Sequence, residues 1–202
     1  WGTSARNGSV VRIDPAGDTV TEISLGSASV PAGIAFAGGM LYVADYQDGR
    51  IFRIDPATNK VTGKLKGPRF AQTLMADGHY LWAVAQEPPA TGPCLFCTQE
   101  DRSATYREKK TAIWRIDLDA PDVPLMFDHA IGNRPYALAR WGGKVWATNW
   151  TGASLSMFDP NVPANSAFVP IGTEPVFLAA AQGALWVTVS GPARALMRLD
   201  PR

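Results

Sequence analysis

Glu174, Asn149 and Asp45 carry the oxygen donors that a hard divalent cation such as Ca2+ or Mg2+ gathers. Arg134 and Arg69 carry planar guanidinium groups, which match the geometry of a carboxylate or phosphate. Trp150 adds a flat apolar face with a single N–H donor. Brought to one place, these six residues would bind a small molecule or a protein, and with a cation they would support metal-assisted chemistry. Left apart, they are polar loop residues facing water, which is the commoner outcome. Which holds depends on the elements that carry them.

Those elements repeat. The chain reads Arg12-Ile13-Asp14-Pro15, Arg53-Ile54-Asp55-Pro56, Arg115-Ile116-Asp117-Leu118, Met157-Phe158-Asp159-Pro160 and Arg198-Leu199-Asp200-Pro201, at spacings of 41, 62, 42 and 41 residues. A period near 40 residues made of strand-like segments is the signature of a β-propeller, each repeat forming one radial blade. Residues 31–66 show the unit most clearly. Apolar Pro31–Phe36 and Met40–Ala44 flank the turn dipeptide Gly38-Gly39, and Arg50–Ile54 follows the turn at Asp48-Gly49. Lys60–Leu65 then alternates polar and apolar, as an outer strand wetted on one side should. These are strands A to D, from the axis outward. The predicted fold is all-β: one domain over 1–202, a propeller of four-stranded antiparallel blades near 1–25, 31–66, 71–128, 135–170 and 176–202. About four to five blades are represented.

In such a ring the D–A and B–C loops emerge on one face, around the mouth of the central channel. Arg69, Arg134, Thr173 and Glu174 lead into A strands, and Asp45, Gln86, Asn149 and Trp150 leave B strands. The repeat therefore predicts that every candidate above lies on the D–A/B–C loop face.

The same ruler removes other candidates. Tyr42, Trp82, Trp146 and Trp186 fall at the second position of each B strand, with Trp1 in register, and a periodic aromatic at a buried strand position is a packing wedge between blades. The repeated Asp14, Asp55, Asp117, Asp159 and Asp200 end C strands before turns, where a carboxylate accepts backbone N–H bonds. Asn7-Gly8-Ser9 and Asn149-Trp150-Thr151 match a glycosylation acceptor, but both sit in B–C turns where Asn and Gly are expected anyway.

The strand count predicts a segment of a larger ring. The chain begins at Trp1 rather than Met, with B, C and D strands, and ends with A, B and C. Two C strands and one D do not tile one shared blade, so open radial edges are expected, and with them possible self-association.

The long interval is explained by a B–C insertion over 87–110, on the candidate face, Pro-rich at first and then charged. It holds both cysteines, Cys94 and Cys97. A loop-pinning disulfide, two free thiols, and a metal or redox role all remain open, the first suiting an extracytoplasmic protein. The two histidines, His79 and His129, fall away from the candidate face. A net charge of +1 with no basic run argues against nucleic acid as partner. No apolar stretch approaches the roughly 20 residues of a membrane span.

The segments GMLYVADYQDGRIFRIDPATNKVTGKL (39–65) and GALWVTVSGPARALMRLDP (183–201) resemble bacterial YVTN/NHL-like propeller repeats, including those of streptogramin (virginiamycin B) lyase-like proteins. The resemblance covers nearly all of the chain except the insertion. It implies a bacterial propeller whose relatives include both enzymes and binding or sensor domains. The lyase would need histidines and an acidic residue around magnesium, which the placement of His79 and His129 does not offer. Gluconolactonase-like propellers hold a divalent cation with Glu, Asn and Asp, a set that Glu174, Asn149 and Asp45 match in type. The expectation is a non-catalytic ligand- or protein-binding or sensor module of an exported or multidomain protein, with no cofactor. The alternative is a metal-dependent lyase or lactonase using Ca2+ or Mg2+ at the channel mouth.

Overall fold

The computed structural model describes residues 1–86, 111–127, 131–132, 134–190 and 194–200. The insertion at 87–110 with Cys94 and Cys97, and His129, lie outside the described residues. What is described contains strands and turns, arranged in five antiparallel sheets. The first comprises β1 (Gly2–Ser4), β2 (Ser9–Asp14) and β3 (Thr19–Ser24). The second comprises β4 (Pro31–Ala37), β5 (Met40–Asp45), β6 (Arg50–Asp55) and β7 (Lys60–Lys66). The third holds β8 (Ala71–Asp77), β9 (Tyr80–Gln86), β10 (Thr111–Asp117) and the short β11 (Leu125–Phe127). The fourth runs through β12 (Pro135–Trp141), β13 (Lys144–Asn149), β14 (Ser154–Asp159) and β15 (Val162–Pro170). The fifth has β16 (Pro175–Ala181), β17 (Ala184–Val189) and β18 (Leu196–Leu199). Within each sheet, strands pair in sequence order, the meander of a propeller blade.

Each meander is set by its turns. Gly38-Gly39 and Gly142-Gly143 have φ of 53° and 76°, and 55° and 72°, the paired left-handed conformation that tight hairpins require. The repeated aspartates close the C strands as expected. Asp14, Asp55, Asp117 and Asp159 each accept the N–H two residues on, at 2.8–3.0 Å. Those bonds, with Thr58 on Asp55 and Lys144 on Asp159, hold the Asp55 and Asp159 carboxyls below their ordinary pKa.

The core is divided among the joints between sheets. Val10, Ile23 and Leu25 pack against Leu41, Val43, Phe52 and Ile54. Tyr42, Ala44 and Ile51 meet Leu74, Leu81 and Ile116 across the next joint. Trp82, Val84 and Ile113 meet Leu138, Val145 and Phe158, and Trp146 and Leu155 meet Leu178, Leu185 and Val187. The periodic aromatics Tyr42, Trp82 and Trp146 are thus the predicted wedges. Trp141, which the repeat puts in an A–B turn, is instead the last residue of β12 and packs on Trp146 with centroids 5.5 Å apart.

The repeated arginine ties one sheet to the next. Arg12 lies over Trp1 and donates to the Pro56 carbonyl at 2.8 Å and to Asn59 Oδ1 at 3.1 Å, both in the following sheet. Arg115 lies over Trp82 and donates to the Pro160 carbonyl at 2.7 Å.

The loops sort onto two faces. Tyr46 N donates to Val30 O, Trp150 N to Arg134 O and Ser190 N to Glu174 O, at 2.8–3.0 Å, so each D–A loop is bonded to the B–C turn of its own sheet. On the opposite face, Leu118 N donates to the carbonyl of His79, binding a C–D turn to an A–B turn. The inner strands pack in the order β1, β4, β8, β12, β16, and among the described residues the first and last sheets do not close on each other. Among the described residues no helix is long and apolar enough to cross a membrane.

Candidate functional site

Asp45 and Asn149 occupy one structural position. Each ends its B strand opposite the proline that opens strand A, Pro31 or Pro135. Proline lacks the N–H that would continue the ladder, and the pairing slips just beyond it in both sheets. The side chain across the gap then binds the incoming loop. Asp45 Oδ1 accepts Val30 N at 3.2 Å, while its Oδ2 pairs with Arg50 at 3.0 Å. Asn149 Oδ1 accepts Gly132 N at 3.0 Å, and its Nδ2 donates to Ser154 and Ser156 at 3.1 and 2.9 Å. Both side chains are fully buried. A buried polar group must be satisfied, and these two are satisfied by their own loops. Among the described residues Glu174 shares no hydrogen-bond partner with either, and the three expected cation ligands serve separate contacts.

Three other candidates do come together, at the seam of the fourth and fifth sheets. The Arg134 guanidinium lies over the Trp150 ring, 4.7 Å from its centroid. The indole N–H of Trp150 is shared between Glu174 Oε2 and Ser190 Oγ, each at 3.2 Å, and the Ser190 hydroxyl donates to Glu174 Oε2 at 3.1 Å. Thr173 donates to the Ser190 carbonyl at 3.4 Å. Arg134 has φ of 54°, a left-handed conformation that costs a non-glycine residue about 1 kcal/mol or more. The fold holds it there through the Trp150 N–H bond to its carbonyl, which fixes the guanidinium against the indole.

This corner presents a cation on an aromatic platform with a carboxylate and a hydroxyl at its edge. Arg134 can hold a carboxylate or phosphate, the indole can cover an apolar surface, and Glu174 with Ser190 can bond donors and hydroxyls.

Ser190 belongs to this corner but is absent from the sequence reading. Its signal was available, because it occupies the column of Tyr46 and Trp150, the residue after strand B. Arg69 sits at a different corner. Its guanidinium lies over Phe70 at 4.8 Å and its Nε donates to Gln47 O at 2.8 Å, while Phe70 meets Tyr46 edge-on with centroids 5.3 Å apart. Gln86 ends β9.

A different set of metal-type donors meets on the opposite face. One ligand atom each of His79, Asp117 and Asp119 lies within 4.8 Å of the others. Asp117 already accepts the Asp119 N–H at 2.9 Å, and His79 and Asp119 are exposed.

The sequence matches no protein-family model and no curated protein. Its fold matches many solved structures. Virginiamycin B lyase from Staphylococcus aureus aligns with a TM-score of 0.69 at 18% identity, over 93% of this chain and 58% of the lyase chain. A chain of the mitotic checkpoint complex aligns with a TM-score of 0.71 at 14% identity, over 98% of this chain and 57% of the other. A gluconolactonase-type propeller aligns with a TM-score of 0.66 at 12% identity, over 98% of this chain and 69% of the other. The chain spans less than two thirds of the first two. At these identities the likeness concerns architecture, which enzymes and members of protein assemblies share. The chain has the β-propeller fold.

Proposed function

We propose that this chain is a non-catalytic ligand-binding propeller module, with its site on the D–A/B–C loop face at Arg134, Trp150, Glu174 and Ser190. The observation that carries the reading is the Arg134 guanidinium stacked on Trp150 beside Glu174. A guanidinium stacked on an indole is held in one orientation, so little side-chain entropy is lost when a carboxylate or phosphate binds there. The ligand class is a small molecule or peptide end bearing a carboxylate or phosphate next to an apolar or hydroxylated portion.

The indole N–H resonance of Trp150 tests this directly, with inorganic phosphate and acetate as probes in 1H–15N spectra. Saturable movement of that resonance, assigned by Trp150→Phe and lost in Arg134→Gln, is the expected result. No movement with either anion up to high millimolar concentration would overturn the reading.

The second reading, a metal-dependent lyase or lactonase, draws on the propeller neighbours that carry those names. Glu174 is then the available carboxylate, since Asp45 and Asn149 are engaged by loop N–H groups. A rise in melting temperature with Ca2+ or Mg2+, abolished by Glu174→Gln, would favour it; no shift with either cation would remove it.

A further inference from the structure

Glu174 is a carboxylate held in place by neutral donors alone. Its Oε2 accepts the Trp150 indole N–H at 3.2 Å and the Ser190 hydroxyl at 3.1 Å. Ser190 N donates to the Glu174 carbonyl at 2.8 Å, so one residue fixes both the backbone and the side chain. The other oxygen, Oε1, accepts no hydrogen bond among the described residues. Elsewhere in the fold carboxylates are neutralised directly: Asp45 pairs with Arg50, Asp77 with Arg140 and Asp159 with Lys144, each at 3.0 Å. Among the described residues no cation pairs with Glu174, although the Arg134 guanidinium stands on the same indole. Two neutral donors orient a carboxylate without cancelling its charge.

The two charges are kept apart by the ring between them. The guanidinium carbon lies 4.7 Å from the ring centroid, and Glu174 Oε2 lies 3.2 Å from the ring nitrogen. Those distances and the size of an indole leave the charges at most about 10 Å apart. A ligand that touches both makes a contact of about 2.8 Å at each end, which leaves room for only a few covalent bonds between its own charges. An α-amino acid has that spacing, with carboxylate and ammonium on one carbon. The carboxyl end of a peptide does not, because its nearest nitrogen is an uncharged amide. The seam lies between the fourth and fifth sheets, so contacts within the chain set all three groups.

We propose that Glu174 Oε1 takes the ammonium of a free α-amino acid whose carboxylate lies at Arg134. The proposal rests on the reading of this corner as an anion site and narrows its ligand to a zwitterion. The amino-acid side chain supplies the apolar or hydroxylated portion beside the indole. A hydroxyl in place of the ammonium donates to the same oxygen but carries no charge, so it gains the hydrogen bond without answering the unpaired carboxylate. Ser190 is a positioning residue here, since it holds Glu174 Oε2 and leaves Oε1 to the ligand.

Glycine, glycolate and N-acetylglycine, each titrated at neutral pH against the Trp150 indole N–H resonance of the 202-residue chain, test the proposal. Glycine should bind about tenfold more tightly than the other two, because it alone carries an ammonium beside its carboxylate. Glu174→Gln keeps an acceptor oxygen at the same place and removes the charge, so it should bring the three ligands to one level. A 1H–15N spectrum otherwise like the parent's shows that the variant folds. Equal affinity for all three in the parent chain, or a glycine preference that survives Glu174→Gln, overturns the proposal and leaves the anion site standing. No movement with any of the three, nor with phosphate or acetate, removes the anion site and the proposal together.

Discussion

The corner at Tyr46 and the corner at Trp150 share one backbone plan and serve different ends. Each follows a buried side chain, Asp45 or Asn149, that binds the D–A loop, and each donates its own N–H to the residue before strand A. Tyr46 is then wholly buried against Phe70, which has φ of 61°. Trp150 remains half-buried, with Arg134 rather than an aromatic ring on its face. A single change of partner separates a closed packing corner from the half-buried one at which we propose binding. In this fold the column after strand B is therefore where function can vary without touching the ladder.

Tyr46→Ala against Trp150→Ala is the strongest test of that contrast. The first removes a buried ring and should cost about 4 kcal/mol in urea unfolding, as large aromatic truncations in cores do. The second should cost about 1 kcal/mol or less, because the indole is partly solvated already. Equal losses would erase the distinction between the corners.

Asn149→Ala should come next, at about 2 kcal/mol, since it removes the buried amide that accepts the Gly132 N–H and donates to the Ser154 and Ser156 hydroxyls. If the variant is as stable as the parent, Asn149 is not a loop clamp and its amide becomes available again as a ligand. Arg12→Met should cost about 1 kcal/mol by losing the bonds to Pro56 and Asn59, read as a lower melting temperature.

The smallest effect separates the turns by pH. Asp55 and Asp159 have depressed pKa values in the folded chain, chiefly through the N–H bonds from Ala57 and Asn161. Their stabilisation is full above the unfolded carboxylate value of about 3.9 and is lost as pH falls through the lower folded value. Asp55→Asn should flatten the acid limb of a stability–pH curve below about pH 4 and leave neutral pH nearly unchanged. An unaltered acid limb would refute the assignment.

Much of this was legible in advance. The spacing of Arg-Ile-Asp-Pro located the blades, and it correctly gave Asp14, Asp55, Asp117 and Asp159 to turns and Tyr42, Trp82 and Trp146 to packing. It also placed Arg134, Trp150 and Glu174 on one face. It could not separate Asn149 and Asp45 from that group, because a polar residue at the end of a B strand reads the same whether it faces a ligand or its own loop. Only the slip beside Pro31 and Pro135, with the N–H it leaves for a side chain to catch, distinguishes the two.

The sequence by itself determined the repeat, the strand order and the turns, because these follow from local propensity and a period of about 40 residues. Tertiary structure decided which of the six candidate residues meet, and which are engaged by their own loops. Both depend on side-chain packing within and between neighbouring sheets, where a guanidinium lands on an indole or on a carbonyl according to the neighbour it finds.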